Sequence, residues 1–395
     1  MKNQIKNKIK FDVILLIIVL LLIVIGTAAI YSASSYKAKT NEEINNSQHY
    51  LNKHLFRLGL GLILMILFIK IDYQALQKIA PIILAFSFIL LLFVLVGGVT
   101  LNGSKRSLMI NGIFFQPSEM AKYALLIFLS VYLVEKEKKL KDLREGLFPV
   151  LAMVGLVVFP IVLEPDLGTA VIIFILSLML IFLAGASIYH LSGLVMVGIV
   201  AAAIVVKIFQ YQGDRLMAFI NAVRGVSDPA YQVLQSLISF GNGGFAGIGI
   251  GNSRQKMHHL PQPFTDFIYS IIGEEAGIIG CFILLILFLG FLWRGLWITI
   301  HAPDRKGQLL AFGITSSILV YAFINIGISL NLLPVTGITL PFISYGGSSL
   351  IMNLIAVGIL LNISVQINQG VSKANKGYKN YLKVTSRSRI KKRKK

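Results

Sequence analysis

The stretch "LPQPFTDFIYSIIGEE", residues 260–275, decides how the chain is read. Pro261 and Pro263 cannot continue a helix. From Phe267 to Trp293 the chain is then apolar almost without interruption. That is longer than the roughly 20 residues that cross a bilayer as a helix. Yet Asp266 stands at the mouth of this segment, and Glu274 and Glu275 lie inside it. Ionisable groups at membrane depth are expensive and are functional candidates by default.

In a helix starting near Thr265, residues Asp266, Ser270, Gly273 or Glu274, and Gly277 share one face. Such a stripe is expected to face protein or water, not lipid. Asp266 itself has two readings. It caps the helix, or it is a carboxylate beside an open cavity at the membrane surface, placed to act as a general base. Glu274 and Glu275 either shift its pKa or bind neighbouring helices. Spacing leaves these alternatives open.

The rest of the chain is built like this segment. Of 395 residues 56% are hydrophobic, and the mean hydropathy is +0.77. Ten apolar runs fall near 11–34, 54–71, 79–99, 116–134, 147–163, 167–187, 189–211, 267–293, 308–331 and 341–365. The fold class expected is an all-α polytopic membrane protein with ten transmembrane helices. A single membrane domain spans 11–368, with basic tails at 1–10 and 369–395. The longest gap, 212–266, is a large loop between helices 7 and 8. Its amphipathic stretches, Arg215–Val223 and Tyr231–Phe240, suit helices lying at the interface. The apolar stretch from Val13 exceeds a usual signal-peptide core, so helix 1 is read as retained.

Charge orients the bundle. Lys and Arg cluster in the N-terminal tail, at Lys70 and Lys78, over Lys136–Arg144, at Arg294, Arg305 and Lys306, and in the C-terminal "SRSRIKKRKK". If ten helices alternate, all five groups share one side, which the positive-inside rule makes cytoplasmic. Both termini are then inside and the 212–266 loop outside. The formal net charge of +20 comes largely from the tails. A tail that directly follows a membrane helix meets anionic lipid, which is favoured over nucleic acid. Cys281 is the only cysteine, so no intramolecular disulfide forms.

Four further places break the membrane pattern. In "QPSEMAK", Glu119 and Lys122 lie three apart on one face, either as an internal ion pair or lining a substrate cavity. In "LEPDLGTA", Asp166 caps the next helix or joins a polar cavity, with Glu164 a second acid in the turn. "GNGGFAGIGIGNSRQKMHHL" reads as a backbone-tight loop presenting Arg254 and Lys256 to a phosphate group or to lipid headgroups. Adjacent His258 and His259 without further ligands are weak evidence for a metal. In "LPVTGITLPFISYGGSS", three glycines and two prolines break helix 10 at its start. Broken helices at membrane depth line cavities or are buried in protein, and small residues also allow close packing.

The stretches "NGSKRSLMINGIFFQPSEMAK", "EPDLGTA", "GIGIGNSRQKMHHLPQPFTDFIYSIIGEEAGIIG" and "LPVTGITLPFISYGGSS" resemble, in order, the motifs of the SEDS proteins (shape, elongation, division and sporulation). The likeness runs from helix 1 to helix 10, and the "GNSRQK" wording resembles the FtsW and SpoVE branch more than the RodA branch. It implies a bacterial peptidoglycan glycosyltransferase in the cytoplasmic membrane. Its substrate would be lipid II, a disaccharide-pentapeptide on undecaprenyl diphosphate, polymerised at the outer face. Its partners would be a class B penicillin-binding protein and other divisome proteins, with a septal role. The family's essential acid, in its Thr-Asp-Phe-Ile motif, maps onto Asp266. Its Pro-Ser-Glu-x-x-Lys motif maps onto Pro117 to Lys122. Two departures stand out: Ser107 follows Arg106 where the family usually has Trp, and Glu164 replaces the usual Gln before Pro-Asp.

The chemistry implied needs a base for the acceptor hydroxyl and cations for a diphosphate leaving group. Asp266 is the expected base. Glu119, Lys122, Asp166 and Glu274 are expected to support the cavity, and Arg106, Arg254 and Lys256, with Lys122, to face the diphosphate. No cofactor is evident; a divalent cation, magnesium or manganese, is admitted, but no dedicated ligand cluster marks a place for one. The rivals are a lipid II flippase, an elongation-type polymerase of the RodA kind, and a scaffold that only positions a synthase.

Overall fold

Without water to hydrogen-bond the backbone, apolar runs in lipid satisfy their peptide groups internally and form helices. The structure is a computed structural model. It describes residues 11–392 apart from 43, 102–103, 111–112, 258–259 and 262. His258, His259 and the N-terminal tail therefore lie outside the described residues.

The helices are α1 (Val13–Thr40), α2 (His49–Lys70), α3 (Tyr73–Lys78), α4 (Ala80–Gly97), α5 (Pro117–Glu135), α6 (Phe148–Leu163), α7 (Leu167–Leu183), α8 (Ile188–Ile208), α9 (Gln210–Val223), α10 (Tyr231–Gly243), α11 (Ile268–His301), α12 (Arg305–Ser329) and α13 (Gly347–Lys392). Among the described residues, nine helical spans are long and apolar enough to cross a membrane, α6 counted together with the π-helical turn Leu143–Leu147 before it, and the apolar α7 is shorter at 17 residues. These ten coincide with the ten runs read from the sequence. The membrane-length part of α13 ends at Gln369. The helix itself continues to Lys392, past the expected tail boundary, where no proline interrupts it.

The lysine- and arginine-rich end of the bundle is tied by polar contacts. Asp12, the N-cap of α1, pairs with Arg294 of α11. Lys306 meets Glu135 at 2.7 Å, and Gln74 donates to Asp304 at 3.1 Å.

At the other end lies an element that the sequence reading did not contain. Strands β1 (Val99–Leu101), β2 (Ser104–Ile110) and β3 (Ile113–Phe115) form an antiparallel meander in that order. Its signal is in the sequence: Asn-Gly pairs at 102–103 and 111–112 separate three short β-prone runs.

One of the two loop helices also departs from expectation. α10 does not lie free at an interface. Its Ser236 hydroxyl donates to the Ser329 carbonyl at 2.6 Å and meets Ser270 of α11, so its buried face packs on α11 and α12. The polar stripe of α11 thus faces protein, as expected.

α11 is broken in its middle. Gly277 has φ +64° and ψ −163°, outside helical geometry. The loop after α10 enters the break. Ile278 N–H donates to the Gly244 carbonyl at 3.0 Å, and Ile248 N–H and Gly249 N–H donate to the Glu274 and Glu275 carbonyls, each at 3.0 Å. A Cβ on Gly277 would sit 2.5 Å from backbone atoms of Gly247 and Phe245. Gly277→Ala is therefore expected to destabilise the fold by about 1–3 kcal/mol. Thermal unfolding in detergent measures it; an unchanged midpoint would mean the break tolerates a side chain.

Candidate active site

The site is built where α11 begins. Its first helical residue is Ile268 and its N-cap is Phe267, with no side-chain capping bond. Asp266 is therefore not the cap, which corrects the capping alternative. Two prolines and the turn through Phe267 delay the helix beyond Thr265. The Asp266 main-chain carbonyl accepts from Asn325 Nδ2 of α12 at 2.8 Å, and the same amide donates to the Ile338 carbonyl at 2.7 Å. One buried amide thus joins the start of α11 to the irregular segment before α13, and its contact to Asp266 is through the main chain.

The Asp266 side chain lines a cavity of about 320 Å³ together with Lys53, Arg57, Arg106, Glu119 and Asp166. The walls are mostly helix starts. Tyr50 belongs to the first turn of α2, with Lys53 and Arg57 one and two turns on, Glu119 to the first turn of α5, and Asp166 is the N-cap of α7. Thr265 and Asp266 precede α11, and Gly347 to Ser349 open α13. Five helices thus direct their positive dipole ends at one space, which favours an anion.

Two charged groups flank a single glycine. Gly337 has φ +74°, and a methyl group on it would lie 3.6 Å from Arg106 Nη1 and 3.7 Å from Asp266 Oδ2. Burial pushes the Asp266 carboxyl above the usual carboxylate range; Arg106 and Arg215 pull it back and Asp166 pushes it further up.

Asp166 serves both roles weighed from the sequence. One oxygen accepts from the Thr169 N–H at 3.2 Å, capping α7. The other accepts from Gln116 Nε2 at 3.3 Å and lies 3.9 Å from Arg106 Nη1, within the cavity wall. Glu119 pairs with Lys122 at 2.8 Å, and the ammonium lies 3.8 Å from the centre of the Tyr321 ring. Glu119 lines the cavity while Lys122 is buried behind it.

Three expected site residues are elsewhere. Glu274 accepts from the Ser253 hydroxyl, from Asn242 Nδ2 and from the main-chain N–H groups of Arg254 and Gln255. Lys256 is buried, and donates to Glu275 and Ser32 at 3.0 Å each and to the Gly251 carbonyl. Arg254 is exposed and does not line the cavity. Glu274 and Lys256 fasten the glycine-rich loop to α11, because a buried charge must be paired.

The cations that do line the cavity were not all foreseen. Tyr50, Lys53 and Arg57 recur at helical spacing at the start of α2, and Arg57 lies over the Tyr345 ring at 5.1 Å. That 50, 53, 57 stripe was the available signal. Ser107, where a Trp is usual, gives a small wall in β2.

A resident divalent ion does not suit this donor set. Among the described residues no group of three or more His, Cys, Asp or Glu could hold one. Asp166 and Glu119 are already engaged by Arg106, Gln116, Thr169 and Lys122.

Residues 12–369 match the FtsW, RodA and SpoVE family of cell cycle proteins. The chain is similar to stage V sporulation protein E of Bacillus subtilis, 40% identical over 355 residues, covering 89% of this chain and 96% of that protein. It is similar to the probable peptidoglycan glycosyltransferase FtsW of Geobacter metallireducens, 34% identical over 368 residues and 93% and 98% of the two chains. Among solved structures it resembles a chain of a peptidoglycan synthase complex that coordinates polymerization and crosslinking, with TM-score 0.74, 27% identity and 91% and 99% coverage. It also resembles the rod shape determining protein RodA of Thermus thermophilus, with TM-score 0.65, 26% identity and 92% and 98% coverage. The chain belongs to this family.

Glu164, at the end of α6, is fully buried, and neither carboxyl oxygen has a hydrogen-bond partner among the described residues. Burial, then Asp166, raises its pKa from 4.5 to about 8, against the pull of Arg106. Between those values the folded chain holds a proton that the unfolded chain has released, so stability falls as pH rises through that window. Glu164→Gln is expected to remove this slope: from about pH 5 to about pH 8.5 the wild-type unfolding midpoint drops by more than the variant's. Equal slopes would show that Glu164 ionises as it would in water.

Proposed function

We propose that this chain is a peptidoglycan glycosyltransferase that polymerises lipid II, with Asp266 as its general base. The observation that carries the reading is one cavity holding the Asp266 carboxylate, the cations Lys53, Arg57 and Arg106, and five converging helix starts. The names of the relatives from Bacillus and Geobacter support it.

The reaction divides between the two kinds of group. The acceptor sugar's 4-hydroxyl gives its proton to the Asp266 carboxylate while its oxygen bonds to the donor's anomeric carbon. The bond from that carbon to the diphosphate breaks, and the leaving oxygen keeps the electron pair. Lys53, Arg57 and Arg106 stabilise the charge that develops there, aided by dipoles that need no rearrangement. A base raised by burial is a stronger proton acceptor once ionised, while Arg106 and Arg215 keep it ionisable.

The chain is a multi-pass membrane protein. In this reading it sits in the bacterial cytoplasmic membrane, with both termini in the cytoplasm and the Asp266 cavity outside. A class B penicillin-binding protein is its partner and the division septum its place of work, in keeping with the FtsW and SpoVE relatives.

The test is lipid II polymerisation by purified protein, with and without its penicillin-binding partner. Asp266→Asn is expected to keep the wild-type unfolding midpoint and to lower the rate by about 10²-fold or more. The acid limb of the wild-type pH–rate profile should lie above the ordinary carboxylate range. A folded Asp266→Asn protein with wild-type activity would end the assignment. Arg57→Ala and Arg106→Ala are each expected to lower kcat/KM by about 10²-fold. Full activity in either would remove that residue from the leaving-group site.

A further inference from the structure

A second cavity, of about 470 Å³, opens at the same end of the bundle between the last turn of α1 and the loop before α11. Tyr36, Lys37, Thr40 and Asn41 line it on one side, and Lys256, Leu260, Pro261 and Pro263 on the other. None of these residues has a part in the transfer just described.

An aromatic wall separates the two cavities. Lys37, from the second cavity, lies over the Phe264 ring at 5.6 Å. Phe264 packs on Tyr50 at 4.8 Å and on Tyr345 at 5.6 Å. Tyr50 and Tyr345 in turn line the Asp266 cavity. The Phe264 carbonyl accepts from the Tyr345 N–H at 2.8 Å, which holds the wall together. Phe264 is two residues from Asp266, so the wall is fixed relative to the base.

Resting on the glycosyltransferase reading, we propose that the second cavity is a saccharide subsite that holds the growing glycan strand between transfers. The chemistry of the lining fits such a ligand. The Tyr36 ring suits the C–H face of a hexose, and the phenol, hydroxyl and amide of Tyr36, Thr40 and Asn41 suit its hydroxyl and acetamido groups. The Lys37 ammonium is exposed and suits a carboxylate of the stem peptide carried by alternate sugars. A strand held here would leave the Asp266 cavity across the aromatic wall without leaving the enzyme.

A strand-retaining subsite governs release, so its loss shortens the product more than it slows the coupling. Wild type, the double variant Tyr36→Ala/Lys37→Ala and the control Lys39→Ala would be assayed on lipid II with the penicillin-binding partner present. Lys39 is exposed in the same helical turn and does not line the cavity. Strand length on gels, lipid II consumption and retention of the partner are read together. Strands from the double variant are expected to be about fivefold shorter, beyond any fall in consumption, with the partner retained and the control unchanged. Wild-type strand length in the double variant would overturn the subsite and leave the glycosyltransferase reading standing. Equal shortening by Lys39→Ala would reduce it to a charge effect and overturn it. Loss of the partner without shortening would make this a protein contact and overturn it. No polymer from wild type would overturn the function on which it rests.

Discussion

The backbone pairing at Gly277 is the constraint on which the site depends. A membrane helix has no free peptide groups to offer, so a loop can bond to it only where the helix is broken. At Gly277 four main-chain N–H groups cross between α11 and the loop after α10. Helix interruption would leave these groups unpaired; the loop satisfies them. The upper piece of α11, which begins just after Asp266, is thereby fastened to α10 and through it to α12. Asp266 is precise because its helix is short and anchored at both ends, by the break and by Asn325.

The same need to pair buried charge sorts the carboxylates. Glu274 and Glu275 hold the loop and Lys256. Asp12 holds Arg294, and Glu119 holds Lys122. Asp166 caps α7 and meets Arg106. Each is committed to a partner, and taking one partner away would leave a buried charge uncompensated, a loss of about 3–5 kcal/mol. Glu164 is the exception on the structural side, and protonation spares it the cost. Asp266 differs from all of these: burial and two nearby arginines oppose one another at a carboxylate that faces open space.

Much of this was legible in the sequence, for identifiable reasons. Ten apolar runs each announce a helix because length and hydropathy are local properties. Glu119 and Lys122 announce a pair because three residues is less than one turn. The α11 stripe announced a protein-facing side, but not which protein. Lys256 misled because a cation in a loop looks the same whether it meets a ligand or is sealed against Glu275. That distinction lies in contacts 19 residues apart and more. Lys53 and Arg57 escaped notice for the opposite reason: they sit at a helix start, where basic residues are ordinary. The β-meander was readable from its Asn-Gly pairs and was overlooked because membrane-length helices surround it.

The floor of the Asp266 cavity bears on the choice between transfer and transport. Beneath Glu119 lie the buried Lys122 ammonium, the Tyr321 and Tyr123 rings, and the Tyr123 hydroxyl donating to Asn353 at 2.6 Å. Farther down, Gln77 donates to Ser130 at 3.1 Å, and the Asp12–Arg294 pair closes the other end. A diphosphate headgroup crossing the bundle would have to part the Glu119–Lys122 pair and rebuild it on each passage, against a desolvation penalty of several kcal/mol per ion. An enzyme that works on one face needs no such movement. Its floor can be rigid, and rigidity would hold Asp266, Lys53, Arg57 and Arg106 in fixed relation around the cavity. The packing below the cavity therefore favours transfer at a fixed site over passage through it.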